Sequence, residues 1–166
     1  MKNLMRNTLV VFLGMIFSTA TIFAQQQQMP PQPEPLSPEE VTDEHLEKIS
    51  NITQAGQVIQ EEADSKMKNV VEDVGMEYQR FQQIMMAQQN PQLANQLQLS
   101  SEEEKTLQQI QPELMKINQE AQQKYMTNIE EEGLSILEFQ QIAQAIQAHP
   151  EVAERFEEIN SPEEDG

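Results

Sequence analysis

The chain contains no cysteine. That excludes a cysteine nucleophile, a disulfide framework and a lipid-bearing N-terminal cysteine, although export remains open to it, because an oxidising compartment permits disulfides without requiring them. Tryptophan is absent, and there are only two tyrosines and six phenylalanines. The core must therefore rest on Ile, Leu, Val, Met, Ala and a few Phe. Basic residues are scarce, with 10 Lys and Arg against 28 Asp and Glu, a net charge of −18. A surface of that sign repels nucleic acid phosphates and anionic lipid headgroups, so partners are expected to be cationic or apolar. Histidine occurs twice, at His45 and His149. Both stand near predicted helix starts, where solvation and capping explain them without catalysis. No serine stands on a strand-to-helix elbow, and no Ser/His/Asp set is evident. Phosphate loops, dinucleotide glycine patterns and paired-His, Glu-x-x-His or calcium-loop motifs are missing too. The expectation is a protein that is not an enzyme and carries no cofactor, no catalytic residue and no metal ligand.

What is present favours helix. Twenty-four of the 28 acids are Glu, and Gln occurs 26 times. Both are good helix formers, whereas Asp, with four copies, is not. At the N-terminus, Lys2 and Arg6 precede a short apolar run over residues 9–17, which extends weakly to Phe23 and is followed by Ala24. A basic start, a short apolar stretch and a small residue at the cut describe a signal peptide over residues 1–24. The run is too short for a membrane span, which needs about 20 apolar residues. Its removal leaves 8 basic residues against 28 acidic ones, a mature charge of −20. Localisation is thus expected to be exported, in the periplasm or outside the cell, with no membrane insertion after cleavage. Residues 25–36 hold four consecutive Gln and four Pro, which reads as an extended linker.

From residue 37 the chain repeats itself. Residues 41–87 align with 99–145 at a constant offset of 58, with 13 identities in 47 ungapped positions. The identities include Ile52/Ile110, Ile59/Ile117, Ala63/Ala121, Gly75/Gly133, Phe81/Phe139, Ile84/Ile142 and Ala87/Ala145. Gln and Glu bias does not place Gly, Phe and Ile in register, so an old duplication is inferred. The organisation expected is a first copy at 37–98, a second at 99–160 forming one domain with it, and an acidic tail at 161–166. Each copy reads as a long helix, a glycine turn, a shorter amphipathic helix and a proline-started third helix.

The long helices are predicted over 43–74 and 102–132. Leu46, Ile49, Ile52, Ile59, Ala63, Met67, Val70 and Val74 form the apolar stripe of the first. Leu107, Ile110, Leu114, Ile117, Ala121, Tyr125 and Ile129 form that of the second. Thr42 is the expected N-cap of the first, Ser100 with Glu103 a capping box for the second, and Ser37 with Glu40 the start of a short turn. Pro112 predicts a kink or a restart. Gly75 and Gly133 stand where a helix end needs a left-handed residue. Ser135 with Glu138 boxes the next helix, whose face is Phe139, Ile142, Ala143 and Ile146. In the first copy Glu77 and Arg80 replace that cap, while Phe81, Ile84 and Met85 keep the face. Pro91 and Pro150 open the third helices, over 91–97 and 150–159. The fold class expected is all-α, a helical bundle of two tandem repeats with two long antiparallel helices. Met67, Met76, Met85, Met86, Met115 and Met126 are expected to fill gaps in its core.

The stretch Gly133-Leu134-Ser135, then Phe139, Ile142 and Pro150-Glu151, resembles a bacterial family of exported helical proteins known as domain of unknown function 4168. Gln140 stands where the family usually has Asn. The resemblance covers residues 124–156 and, more loosely, 46–67. It implies an all-helical, exported protein without assigned activity or known catalytic residues.

Two function classes follow. The first is an exported protein that binds other envelope proteins or unfolded peptides, or serves the cell envelope structurally, with chaperone-like holding as one form. The alternative is a small-molecule or divalent-cation module that uses the acidic collars at the glycine turns, Glu130, Glu131 and Glu132 with their counterparts Glu72 and Asp73. Carboxylates at a helix C-terminus oppose its dipole, so the collar is either a cation site or a solvated ring.

Overall fold

The computed structural model describes residues 33–89, 97 and 99–161. The expected signal peptide, residues 25–32 of the linker, the third helix of the first copy apart from Leu97, and the tail beyond 161 lie outside them. Among the described residues the protein is all-α. It has five helices, α1 (Asp43–Asp73), α2 (Tyr78–Gln89), α3 (Ser101–Glu131), α4 (Ile136–Ala148) and α5 (Pro150–Ile159). None is long and apolar enough to cross a membrane.

Local chemistry sets these boundaries. Before α1, Ser37 and Glu40 close a one-turn bend through the Ser37 N–H and hydroxyl, both donated to Glu40 Oε2. Thr42 then caps α1, its Oγ1 accepting from the His45 N–H at 3.2 Å. Ser100 and Glu103 form the reciprocal capping box of α3, and Ser135 and Glu138 that of α4. Pro112 lies inside α3 without a restart. Its missing N–H leaves the Gln108 carbonyl without a helical donor, and Gln108, Gln111, Pro112 and Glu113 are all exposed, so water can meet it.

Both glycines adopt the left-handed conformation, with φ of +79° at Gly75 and +77° at Gly133. Each builds a Schellman end. The Gly75 N–H reaches the Glu72 carbonyl while the Met76 N–H reaches Val71; Gly133 and Leu134 do the same with Glu130 and Ile129. The residue after each glycine serves the next helix as well. Met76 precedes the start of α2 and packs in one cluster with Phe81, four positions into that helix. Leu134 and Phe139 repeat the spacing at α4, and both are buried. This is the hydrophobic staple, and it fixes the exit angle of the corner.

A Cβ at Gly75 would meet no atom within 4 Å, and one at Gly133 only Lys48 Nζ at 3.9 Å. The space is open, so any substitution there is opposed by backbone conformation alone. Gly133→Ala is expected to lower stability by about 1–2 kcal/mol, and Gly133→Val by more, in urea unfolding followed by circular dichroism. An unchanged midpoint would contradict the positive φ.

The described chain divides into two compact units that do not follow the two sequence copies. One takes residues 33–57 and 124–161, the other 58–123. In the second unit the C-terminal half of α1, the Gly75 turn and α2 pack on the N-terminal half of α3. Its core is Val71, Met76, Phe81, Ile84 and Ile110. Lys66 pairs with Glu120 while Val71 meets Ile110, so α1 and α3 run antiparallel there. In the first unit the equivalent positions are Ile129, Leu134, Phe139, Ile142 and Ile52, all buried. Here the C-terminal end of α3, the Gly133 turn and α4 accompany the N-terminal half of α1. Each core thus combines the turn and short helix of one copy with the long-helix start of the other.

In the first unit α4 packs on α5. The buried Ser50 hydroxyl donates to Asn160 Oδ1 at the end of α5. Arg155 reaches Asp43 at the start of α1. The described end of the linker is held as well, with Gln141 Nε2 donating to the Glu34 carbonyl at 3.2 Å.

The expected role of the methionines needs correction. Met76 is buried and Met67 half-buried, but Met85, Met86, Met115 and Met126 are exposed. The buried face of α2 is the narrow set Phe81, Ile84 and Ala87. Met85 and Met86 follow Ile84 directly, and each 100° step of the helix carries them further off that face. Met115 leaves the α3 stripe beside Leu114 in the same way.

Candidate functional site

The features with chemical content gather at the two glycine corners. In the second unit an open cleft of about 440 Å³ lies at the Gly75 turn, between the starts of α2 and α3. Glu77, Arg80, Glu102 and Glu103 supply its charged lining, and two of them are paired. Arg80 Nε meets Glu103 Oε1 at 2.6 Å and Nη2 meets Oε2 at 3.3 Å, a forked pair. Glu103 also accepts the Ser100 N–H at 2.8 Å. The Arg80 guanidinium, followed by the Ser100 N–H and hydroxyl, holds the Glu103 carboxyl down at about 2. A carboxylate so acidic is a poor proton acceptor at neutral pH, so Glu103 beside Ser100 is a cap and not a general base. The same pair raises Arg80.

In the first unit the equivalent corner carries the opposite arrangement of charge. At the 58-residue offset Glu103 corresponds to His45, and Arg80 to Glu138. The acid therefore sits on the short helix here and on the long helix there. Glu138 is lowered first by the hydroxyl and N–H of Ser135, with Lys48 adding a nearby positive charge. His45 takes the place a Glu holds in a capping box, its Nδ1 accepting from the Thr42 N–H at 3.4 Å. The third positions of the two helices thus hold their acid on opposite helices at the two corners, and at the Gly75 corner they form the forked Arg80–Glu103 pair. The loss of the Ser/Glu box from α2 is offset by an ion pair to α3. Sequence reading saw only the lost cap, although the two reversed columns of the repeat carried the signal.

The acidic collar does not converge. Glu130 and Glu131 are exposed, and Glu132 is half-buried and accepts from Asn51 Nδ2 at 3.3 Å. Lys48 Nζ, 3.9 Å from where a Gly133 Cβ would stand, brings a positive charge to the C-terminal end of α3, where the dipole favours it. Lys48 also pairs with Glu44 at 2.8 Å and lowers that carboxyl. Among the described residues no group of three or more His, Asp or Glu side chains is placed to hold a metal ion. His149 joins α4 to α5 through its backbone. Its N–H reaches the Ala145 carbonyl, its own carbonyl accepts from Val152 and Ala153, and its ring makes no cap bond.

Outside the corners, the notable surface groups are apolar. Val58, Met86, Met115 and Leu137 are each more than half exposed, at 57%, 60%, 54% and 55%.

The Glu103 pair has a pH signature. Its folded value of about 2 lies below the ordinary 4.5, so its contribution is complete above pH 4.5 and is lost as pH falls through about 2. Glu103→Gln is expected to lower the melting temperature at pH 7, and the difference should shrink steadily as pH falls from 4.5 to about 2. Thermal melts across that range and at pH 7 check this, and a constant difference would contradict the pairing.

No curated protein and no solved structure matches the chain. The model of the family described as "Domain of unknown function (DUF4168)" matches it twice, over residues 17–97 and 95–156, and together these segments span most of the chain, which therefore belongs to that family.

Proposed function

We propose that this is an exported, non-catalytic helical protein that holds apolar segments of other proteins. The observation that carries the reading is the set of exposed thioether and aliphatic side chains on a strongly acidic helical surface. Met is unbranched and polarisable, so exposed Met adapts to varied apolar partners. The charge of −18 keeps a protein with such a surface soluble and attracts cationic segments. The basic N-terminus and short apolar run support export to a compartment where unfolded or envelope-bound polypeptides are the available partners.

The test is an aggregation-protection assay. Protein lacking residues 1–24 is mixed in molar excess with a chemically unfolded client, and light scattering is followed on dilution. Suppressed scattering is expected; scattering equal to that with an inert acidic protein would overturn the reading. Export is checked by the N-terminus of the protein recovered from the envelope fraction, which should begin at Gln25.

A further inference from the structure

Resting on the reading above, we propose that the outward face of α2 is the surface on which this protein seats a client, and that the client is a basic, apolar stretch of unfolded polypeptide. Carboxylates mark the other four helices, but α2, Tyr-Gln-Arg-Phe-Gln-Gln-Ile-Met-Met-Ala-Gln-Gln, has none. Its one charged group, Arg80, is forked onto Glu103. With Phe81, Ile84 and Ala87 turned inward, the exposed ones among its described side chains are Gln79, Gln82, Gln83, Met85 and Met86.

This composition suits an apolar ligand. Pressing an apolar side chain against a carboxylate strips water from the charge at a cost, and on α2 no carboxylate of the helix has to be dehydrated. The other exposed apolar residues lack this arrangement. Val58 has Glu61 and Glu62 one turn on, Met126 has Glu130, Leu137 has Glu138 beside it, and Met115 stands alone. On α2 two adjacent thioethers offer adaptable contact, and glutamine amides can both donate to and accept from an extended backbone. The net charge selects the client's sign, because −18 on the whole molecule draws in a basic segment and repels an acidic one. A 12-residue helix is about 18 Å long, the span of about five or six extended residues, so the contact is small and its exchange fast.

The experiment uses three labelled peptides with the same Leu and Phe residues and either Lys, Ser or Glu between them, with fluorescence anisotropy on the protein lacking residues 1–24. The Lys peptide is expected to bind, more tightly at low salt, and the Glu peptide not to bind. The double variant Met85→Ser/Met86→Ser should weaken the Lys peptide about tenfold or more at an unchanged melting temperature, while Met115→Ser should leave binding intact. Unchanged binding by the double variant would overturn the α2 site, and equal binding of the Lys and Glu peptides would overturn the assignment of a basic client. In either case, suppression of client aggregation by the unmodified protein would leave the holding activity standing. If that protein neither suppresses aggregation nor binds a peptide, the reading beneath falls with the site.

Discussion

Phe139→Ala is expected to destabilise the protein by about 3–5 kcal/mol, the range for removing a buried aromatic side chain whose surroundings relax only partly. Phe139 is 3% exposed and stands on the α4 face with Ile142, Ala143 and Ile146, all buried. Its ring meets Tyr125 of α3 edge to face, with centroids 6.0 Å apart and planes at 84°. Tyr125 is itself buried, and burial pushes its phenol well above the ordinary range. The substitution therefore opens a cavity between α4 and α3 and also removes an aromatic pair worth about 0.5–1.5 kcal/mol. A double-mutant cycle with Tyr125→Leu separates the two, since the coupling should fall in that smaller range. Urea unfolding followed at 222 nm reads both, and a loss below about 1 kcal/mol for Phe139→Ala would show that the ring is not packed as described.

Much of this architecture was legible in the residues, for a physical reason. Helix ends are local events. Thr42, the Ser100/Glu103 and Ser135/Glu138 boxes, Pro150 and the two left-handed glycines each act within one turn of themselves. The predicted bounds for the long helices accordingly agree with Asp43–Asp73 and Ser101–Glu131 to within one residue. The helix predicted over 150–159 coincides with α5. The predicted stripe of the first long helix takes Val70 and Val74 and omits Val71. An apolar face 100° or more wide holds all three, and Val71 is the one fully buried.

The features that escaped depend on long-range pairing. Nothing within one copy says that its glycine corner will close on the long-helix start of the other copy, as Ile84 closes on Ile110. The Arg80–Glu103 pair follows from that exchange, and could be anticipated only by reading two reversed columns of the repeat together. The exposure of the methionines depends on helical phase, not on their apolar chemistry. That exposure is the observation on which the proposed client surface rests. At the collar, which sequence alone left open between a cation site and a solvated ring, Glu130 and Glu131 face solvent, Glu132 takes a bond from Asn51, and Lys48 supplies the positive charge.

Ile84→Ala should cost about 2–5 kcal/mol, the largest effect expected in the second unit. Ile84 is fully buried in one cluster with Val71, Met76, Phe81 and Ile110, joining α2 to both long helices. Trimming it leaves a void bounded by three separate helices. Each is fixed by its own caps or corner, so collapse into the void is limited and the cost should fall in the upper part of the range. The next two residues supply the control. Met85 and Met86 are 36% and 60% exposed, so Met85→Ala and Met86→Ala are each expected to change stability by about 0.5 kcal/mol or less. Chemical unfolding of the three single variants gives one large loss followed by two near-zero ones. If Met86→Ala proved as costly as Ile84→Ala, α2 would be rotated about its axis from the orientation described. Its thioethers would then belong to the core, and the client surface would have to be sought on another helix.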